Sequence, residues 1–566
     1  MIMASKVNHY NMCLEFLKRM HHHLEYKEGE NQFRIRSYRL AFEALEQHGT
    51  MEDIDGVKYL GKGMLAHFDE IKRTGSSTLL EEVSQYGPPY ETRELIALPG
   101  VGPKGALRIY DTHGVTSMAD LESKIKGGDL TDTKIIEAFY DWKANSARIP
   151  RSVVTRDITP VLEACLNVKS ITDAMLAGSF RRWRPDCRDI DILMRVNSYS
   201  NVKSAVRAIS KALSASIEAD GDRKAYLRYR IGGSERKLDL NFIESDSWGT
   251  AVLHFTGSAK FNVALRTYAE AEYGCKVSQY YIDEGKKRHY FDEEEHVFEF
   301  LNIPYTPPEC RDHHLNVTEE VSVISESDVI GDLHSHTTDS DGALDLDRLL
   351  AVAKKQKYRF FGISNHSKST GNGMDQKSAV ALATKIRKLR KKMREDGETL
   401  RPYASVELDV RVDGTLDYAV DCLGKFDYIV LSTHVKQDSN ILGRLEKAIK
   451  TIGKHPMIIA HPTGRLIGKR SGADVDWIAL FKLCKLYNVV LELNGQGDRC
   501  DLPDDLIVKA KRMGCLFAVN SDCHGKDPWS TQVNAVHLAM RGLLTRKDVI
   551  NTSHKRFRAW LDAFKD

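Results

Sequence analysis

The chain has 566 residues, more than the roughly 250 to 300 at which a single hydrophobic core stops growing, so it forms several domains. Its 82 basic and 79 acidic side chains leave a net charge of only +3, which excludes reading a partner from the total and leaves any nucleic-acid surface to local clustering. No apolar run is long enough to cross a bilayer and no basic-then-apolar signal pattern opens the chain, which excludes a membrane role and reads as a soluble, cytoplasmic protein.

From residue 1 to about 85, apolar residues recur at helical spacing: Met12, Phe16 and Leu17, then Ile35, Tyr38, Leu40, Ala41, Phe42 and Leu45. That predicts a small helical domain. His21-His22-His23 falls within it, but consecutive helical residues point about 100° apart and do not chelate together, so it reads as a solvated helix face. Two segments then follow a plan of helix, short glycine-rich turn, helix. The first holds Gly61 and Gly63 in Tyr59-Leu60-Gly61-Lys62-Gly63, and the second holds Gly100, Gly102, Lys104 and Gly105 in Pro99-Gly100-Val101-Gly102-Pro103-Lys104-Gly105. Glycines let such a turn present bare N–H groups at a helix N-terminus, an anion site suited to a DNA phosphate. The second matches the helix-hairpin-helix pattern closely, while the first has Tyr59 where the pattern leads with glycine. The second segment lies in a stretch, residues 86–150, that reads as a separate DNA-binding subdomain.

Residues 151–245 carry Gly178-Ser179-Phe180-Arg181-Arg182 and, shortly after, Asp189-Ile190-Asp191. A small-residue turn ahead of paired arginines offers N–H groups, a hydroxyl and guanidinium to phosphates. Carboxylates two apart on a strand share a face and repel unless a cation sits between them. Further on, Arg236-Lys237-Leu238-Asp239-Leu240 alternates charged and apolar residues as a half-buried strand does, which puts Asp239 in position to complete a three-carboxylate site.

This set resembles the palm of family X DNA polymerases, the nucleotidyltransferase superfamily that includes DNA polymerase beta. The resemblance implies that Gly178, Ser179 and Arg182 face the triphosphate and that Asp189, Asp191 and Asp239 hold two Mg2+ (or Mn2+) ions. It makes residues 1–85 a lyase-like domain and 86–150 a fingers-like subdomain, with both hairpins binding DNA backbone. At the family's Schiff-base lysine the matching position is His67, and imidazole is a poor substitute for an amine in imine chemistry, so strong lyase activity is not expected. In residues 246–310, Phe255-Thr256-Gly257-Ser258 resembles the turn that borders the nucleotide sugar. Asn262 and Arg266, four apart on one helix face, match the residues that meet the base edge and the templating strand. His254 stands where a tyrosine is common.

Paired prolines and weak periodicity from about residue 305 read as a linker, set at 311–327, with His313-His314 as solvated polar sequence. The ten cysteines are scattered without a paired zinc spacing, which favours reduced thiols. From 328 to 566, short apolar runs end in histidine or carboxylate and are followed by helical stretches: His334 and His336, His366, Glu407, His434, His461, Glu492, and Asp522 with His524. Runs this apolar suit strands covered on both faces, and seven such units predict a distorted (β/α) barrel with polar residues gathered at the carboxyl ends. Asp341 lies in the loop beyond the first pair. Imidazole with carboxylate suits zinc, manganese or iron.

This half resembles the PHP (polymerase and histidinol phosphatase) domain, whose nine ligand positions are filled by His334, His336, Asp341, His366, Glu407, His434, His461, Asp522 and His524. That implies three divalent ions, Zn2+, Mn2+ or Fe2+, lowering the pKa of water to near about 7 for attack on phosphorus. Asn365 replaces the family's usual aspartate, a change expected to soften ligand orientation. Arg465 reads equally as a phosphate clamp and as a rim salt bridge. The whole is a multidomain α/β and α+β chain: helical N-terminal domain, nucleotidyltransferase palm, nucleotide-selection subdomain and PHP barrel, the layout of bacterial-type family X polymerases. The resemblance implies a monomeric repair polymerase acting on gapped or primer-template DNA with deoxynucleoside triphosphates. It adds a PHP-site 3'-5' exonuclease, with AP-endonuclease or 3'-phosphatase activity as variants. The alternative is an end-processing nuclease or DNA-binding scaffold with a weak or vestigial polymerase half.

Overall fold

The computed structural model describes residues 2–26, 31–48, 54–84, 88–146, 148–434 and 440–565. They divide into two compact units, Met1–Ser146 and Ala147–Asp566. The boundary expected near residue 85 lies outside the described residues. Among the described residues no helix is long and apolar enough to cross a membrane.

The first unit is helical. α1 (Ile2–Tyr26), α2 (Gln32–His48) and α3 (Lys62–Thr74) enclose one core, in which Phe16, Leu17, Tyr38, Ala41, Leu45 and Phe68 are buried at the spacing the sequence shows. A second core of Leu95, Leu98, Ala106, Ile109 and Phe139 surrounds α4 (Pro103–His113). His22 and His23 are not a solvated face: both are buried, and the His22 ring meets the edge of Tyr90 at 5.1 Å. Burial lowers both imidazoles, His22 to about 4, with the neighbouring His23 adding to the effect. The misreading arose because α1 buries two faces, one against α2 and one against the segment around Tyr90.

The second unit opens with a five-stranded sheet. β1 (Ile171–Leu176), β2 (Ile190–Val196), β3 (Ser216–Asp220), β4 (Lys224–Ile231) and β5 (Ser234–Glu244) lie in the order β1-β2-β5-β4-β3. β2 and β5 are parallel and the other pairs antiparallel. Strand alternation sets the faces: Ile190, Ile192, Leu238 and Leu240 point into the core, and Asp191 and Asp239 between them point away from it. Helices α5 (Trp248–Thr256) and α6 (Ala259–Tyr273) follow.

Beyond residue 330 the strands are parallel. β6 (Gly331–Asp332), β7 (Phe360–Ile363) and β8 (Arg401–Ala404) form one sheet; β9 (Glu407–Asp409), β10 (Ile429–Ser432), β11 (Met457–Ile459), β12 (Val490–Asn494) and β13 (Phe517–Asn520) form another. Single bridges, His366 with Glu407 and Ser335 with Cys523, join the two sheets, so the hydrogen-bonded ladders run a closed circuit. Every residue of these strands but Arg401 is buried, as parallel strands covered by helices require. Two of the covering helices, α7 (Asp504–Arg512) and α8 (Trp529–Arg541), matter below. All ten cysteines are free and buried.

The start of the segment expected to be a linker is packed, whereas most of residues 316–327 are exposed. Pro308–Asp312 forms a 3-10 turn in which Glu309, Cys310 and Arg311 are buried. His313 donates to Asp504 at 2.9 Å and is half-buried. Aperiodic, proline-rich sequence suggested a tether; its polar side chains instead find partners far away in the chain.

Candidate active sites

The first candidate site lies at the β1, β2 and β5 end of the five-stranded sheet. Asp191 and Asp239 are register partners on neighbouring parallel strands, so their carboxylates stand side by side. Asp189 precedes β2, is exposed, and accepts from Arg188 at 3.0 Å. Burial, reinforced by Asp239 and Asp189, pushes Asp191 up to about 6. Gly178, in the turn after β1, has φ +56°, and a Cβ there would fall 2.0 Å from Asp191 Oδ2. No other residue fits between that turn and the carboxylate.

A cavity of about 680 Å³ opens here. Gly178, Ser179, Arg182, Asp189 and Asp191 line one side, and Phe255, Gly257, Asn262 and Arg266 the other. These are the residues singled out for nucleotide binding and two of the three carboxylates; Asp239 adjoins through Asp191. Of the paired arginines only Arg182 lines this cavity. Arg181 is committed to Glu294, 2.8 Å away, and to Thr256 Oγ1 at 2.7 Å. On the α5–α6 side, Gly257 has φ +69°, and Arg182 donates to the carbonyl of Thr256 next to it. His254 organises the predicted pair: Asn262 donates to its carbonyl at 2.8 Å, and Arg266 donates to its Nδ1 at 2.9 Å. Burial and then the Arg266 charge lower this imidazole to about 4, so it accepts as the neutral ring. A residue the sequence reading passed over is Lys224 on β4, whose ammonium lies 2.9 Å from Asp239 Oδ2. It sits in an alternating strand two rungs from the acidic pair, with no motif around it.

The second candidate site gathers the nine histidines and carboxylates that the PHP resemblance implies, eight at strand ends and Asp341 in a loop. Glu407 is its hub: Oε1 lies 3.0 Å from His461 Nε2 and 3.3 Å from His434 Nε2, and Oε2 lies 2.8 Å from His366 Nδ1. Its Oε2 also lies 3.4 Å from His334 and 3.5 Å from His336. Asp522 Oδ1 is within 3.2 to 3.5 Å of His334, His336 and His524. Asp341 joins His366 at 3.2 Å and His524 at 3.3 Å. Burial opposes charge on Glu407 and Asp522, yet the surrounding imidazoles hold both carboxyls well below the usual range.

Several of these atoms are buried and lack a hydrogen-bond partner among the described residues: His334 Nε2, both ring nitrogens of His336, His366 Nδ1, Glu407 Oε2 and Asp522 Oδ1. Buried polar atoms are normally satisfied. Orphans that converge on shared centres are the donor set a group of cations requires, and three overlapping subsets here have ligand atoms within 4.8 Å of one another.

In the sequence Glu492 is visible only as a strand end, and Asp409 does not stand out. His334 Nδ1 donates to Glu492 Oε1 at 2.7 Å, which turns Nε2 toward the cluster, and Asp409 lies 3.3 Å from His434 Nδ1. A buried carboxylate inside an apolar strand was the signal for both. The Asn365 side chain turns away from the cluster: its Oδ1 accepts from the Thr337 N–H at 2.7 Å and from Ser340 at 3.2 Å, bracing the loop that carries Asp341, while its carbonyl accepts from the Glu407 N–H at 3.1 Å. Arg465 makes no rim salt bridge among the described residues: it donates to the carbonyls of Arg499, at 2.8 Å, and Cys500.

In the first unit, Gly61 and Gly102 are the N-caps of α3 and α4, with no side-chain cap on either. Gly63 lies within the first turn of α3, and Lys104 and Gly105 within that of α4. Gly100 takes φ +75°, and Tyr59, at the equivalent place in the first turn, takes φ +70°. His67 packs its ring 5.3 Å from Phe16, with Nδ1 3.6 Å from Glu70.

A family model described as DNA polymerase beta palm matches residues 148–238, and one described as DNA polymerase beta thumb matches residues 251–312. The chain is 29% identical over 547 residues to a protein of Bacillus subtilis (strain 168) named DNA polymerase/3'-5' exonuclease PolX, covering 93% of this chain and 94% of that one. It is 24% identical over 321 residues to DNA polymerase lambda of Rattus norvegicus, covering 51% of this chain and 54% of that one. With the palm model matched over the acidic strands, the thumb model directly after it, and the likeness to the Bacillus protein running over nearly the full length of both chains, this chain is similar to the family X DNA polymerases in both of its halves.

Proposed function

We propose that the chain is a DNA-directed DNA polymerase that fills short gaps in DNA repair and carries a 3'-5' exonuclease in its carboxyl-terminal half. The observation that carries this reading is the presence of two separate centres in one unit: a carboxylate pair facing a nucleotide-sized cavity, and a buried histidine-carboxylate cluster at the strand ends. Asp189, Asp191 and Asp239 are oxygen ligands suited to Mg2+ or Mn2+. The imidazole-rich cluster suits Zn2+, Mn2+ or Fe2+, three ions in all, and with this cluster the half takes the role of a PHP barrel. Bound cations supply Lewis acidity toward phosphoryl oxygens and acidify water.

The chain's own residues do the rest. Ser179, Arg182 and the N–H groups after Gly178 hold a triphosphate, and Asp239 takes the proton of the primer 3'-hydroxyl. The Phe255–Gly257 turn lies where a sugar passes, and Asn262 and Arg266 meet base and template from α6. The capped turns at Gly61–Gly63 and Gly100–Gly105, with Lys104, grip the DNA backbone through bare N–H groups. The protein works in the cytoplasm as a monomer, with gapped or primer-template DNA and deoxynucleoside triphosphates as its substrates. Asp191→Ala in a gapped-DNA extension assay should abolish extension and spare 3'-end digestion, and His336→Ala should do the reverse. Joint loss of both activities in each folded variant would overturn the two-site reading.

A further inference from the structure

Trp183 holds φ +53°, a left-handed conformation costly for a bulky side chain. Its ring lies flat on that of His537 in α8, centroids 3.5 Å apart and planes 4° from parallel. The Arg151 guanidinium covers Trp183 at 3.9 Å. Backbone strain at one residue that brings one ring onto a distant helix marks a position where the contact outweighs the conformation.

The neighbouring residue is tied to the same helix. Arg541, the last residue of α8, is fully buried and donates Nη1 to the carbonyl of Arg182 at 2.7 Å. Its Nη2 donates to Asp312 at 2.9 Å and to Asp504 of α7. Asp312 in turn lies 3.3 Å from the Arg182 guanidinium and 3.7 Å from that of Arg184. The carbonyl of Arg182 is therefore held directly by the carboxyl-terminal half, and its guanidinium by Asp312, which Arg541 fixes, together with the carbonyl of Thr256. A guanidinium held this way meets a phosphate without ordering itself first.

We infer that α8, through Arg541 and the His537–Trp183 stack, is a positioning element for the nucleotide pocket, so that the carboxyl-terminal half contributes to nucleotide affinity as well as to its own chemistry. Arg541 and Trp183 are positioning residues that act through Arg182. The inference rests on the polymerase reading above, because it requires Arg182 to hold the triphosphate.

The test uses the full chain. Trp183→Gly keeps the left-handed turn and removes the ring; Trp183→Phe keeps a ring on His537; Arg541→Met removes the fork. Trp183→Gly and Arg541→Met should raise the KM for dNTP roughly ten-fold in gapped-DNA extension with kcat within about two-fold. Trp183→Phe should return KM close to the parent value, and Trp183→Gly should retain the parent melting temperature and 3'-end digestion. Unchanged KM in Trp183→Gly overturns the inference, even should Arg541→Met fail to fold. So does equal loss of extension, digestion and stability. Should the parent chain not extend primers, the polymerase reading fails by itself; calorimetric titration with dATP and Mg2+ then decides the inference, a roughly ten-fold weaker Kd in Trp183→Gly supporting it and an equal Kd or no binding by the parent overturning it.

Discussion

A methyl group on Gly178 has nowhere to go. Its Cβ would overlap Asp191 Oδ2, and the turn holds φ +56°, so Gly178→Ala must displace either the turn or the carboxylate. Displacements near 1 Å at reacting groups cost about 100-fold in rate, so extension should fall by at least about that factor while 3'-end digestion is unchanged. Tyr59 is the opposite case, a side chain in a conformation that suits glycine. Tyr59→Gly relieves about 1 kcal/mol of strain and returns part of it as chain entropy, for a net gain of about 0.5 kcal/mol in a denaturant titration. Both positions stood out in the sequence, one as the Gly-Ser turn and the other as a missing glycine. Asp191 and Asp239 were equally legible, because a period of two fixes which side chains share a face. Arg181 was not: its partner Glu294 is 113 residues away, and nothing local distinguishes it from Arg182.

At the scale of elements, the carboxyl-terminal strands announced themselves as apolar runs ending in histidine or carboxylate, since parallel strands buried on both faces leave only their ends for chemistry. What that pattern hides is the support. Glu492 sits among Leu491 and Leu493 on β12, fully buried, and its use is visible only when β6 brings His334 to it. By fixing the imidazole N–H on Nδ1 it leaves Nε2 as the atom that can take a cation. Glu492→Gln should therefore lower the affinity of the cluster for divalent ions by about 10- to 100-fold, measured as the metal concentration needed to restore 3'-end digestion after chelation. Extension at saturating Mg2+ should be unaffected by the same substitution, because Glu492 belongs to the other centre.

The whole second unit depends on a junction that looked like a tether. Arg311, fully buried in the 3-10 turn, places its guanidinium against Glu294 at 2.6 Å and near the rings of Phe261, Phe298 and Tyr305, and Arg181 closes the other side of the same carboxylate. Short-range periodicity cannot reveal a side chain whose partners lie on other elements, which is why this segment reads as a linker. The energetic consequence follows from Glu294. Burial by itself would raise its carboxyl, but Arg311 and Arg181 outweigh burial and hold it down to about 2, against an ordinary value of 4.5. A carboxyl whose folded pKa is depressed binds fewer protons folded than unfolded, so its contribution is complete above about pH 4.5 and is lost as pH falls toward 2. The shift amounts to about 3 kcal/mol. Denaturant titrations of the full chain should show the second unit losing stability across that window. Glu294→Gln should be less stable at neutral pH, because two guanidinium groups lose their counterion, and should show a correspondingly smaller loss on acidification. Parent and variant curves that fall in parallel between pH 4.5 and 2 would remove Glu294 as the group that binds the junction.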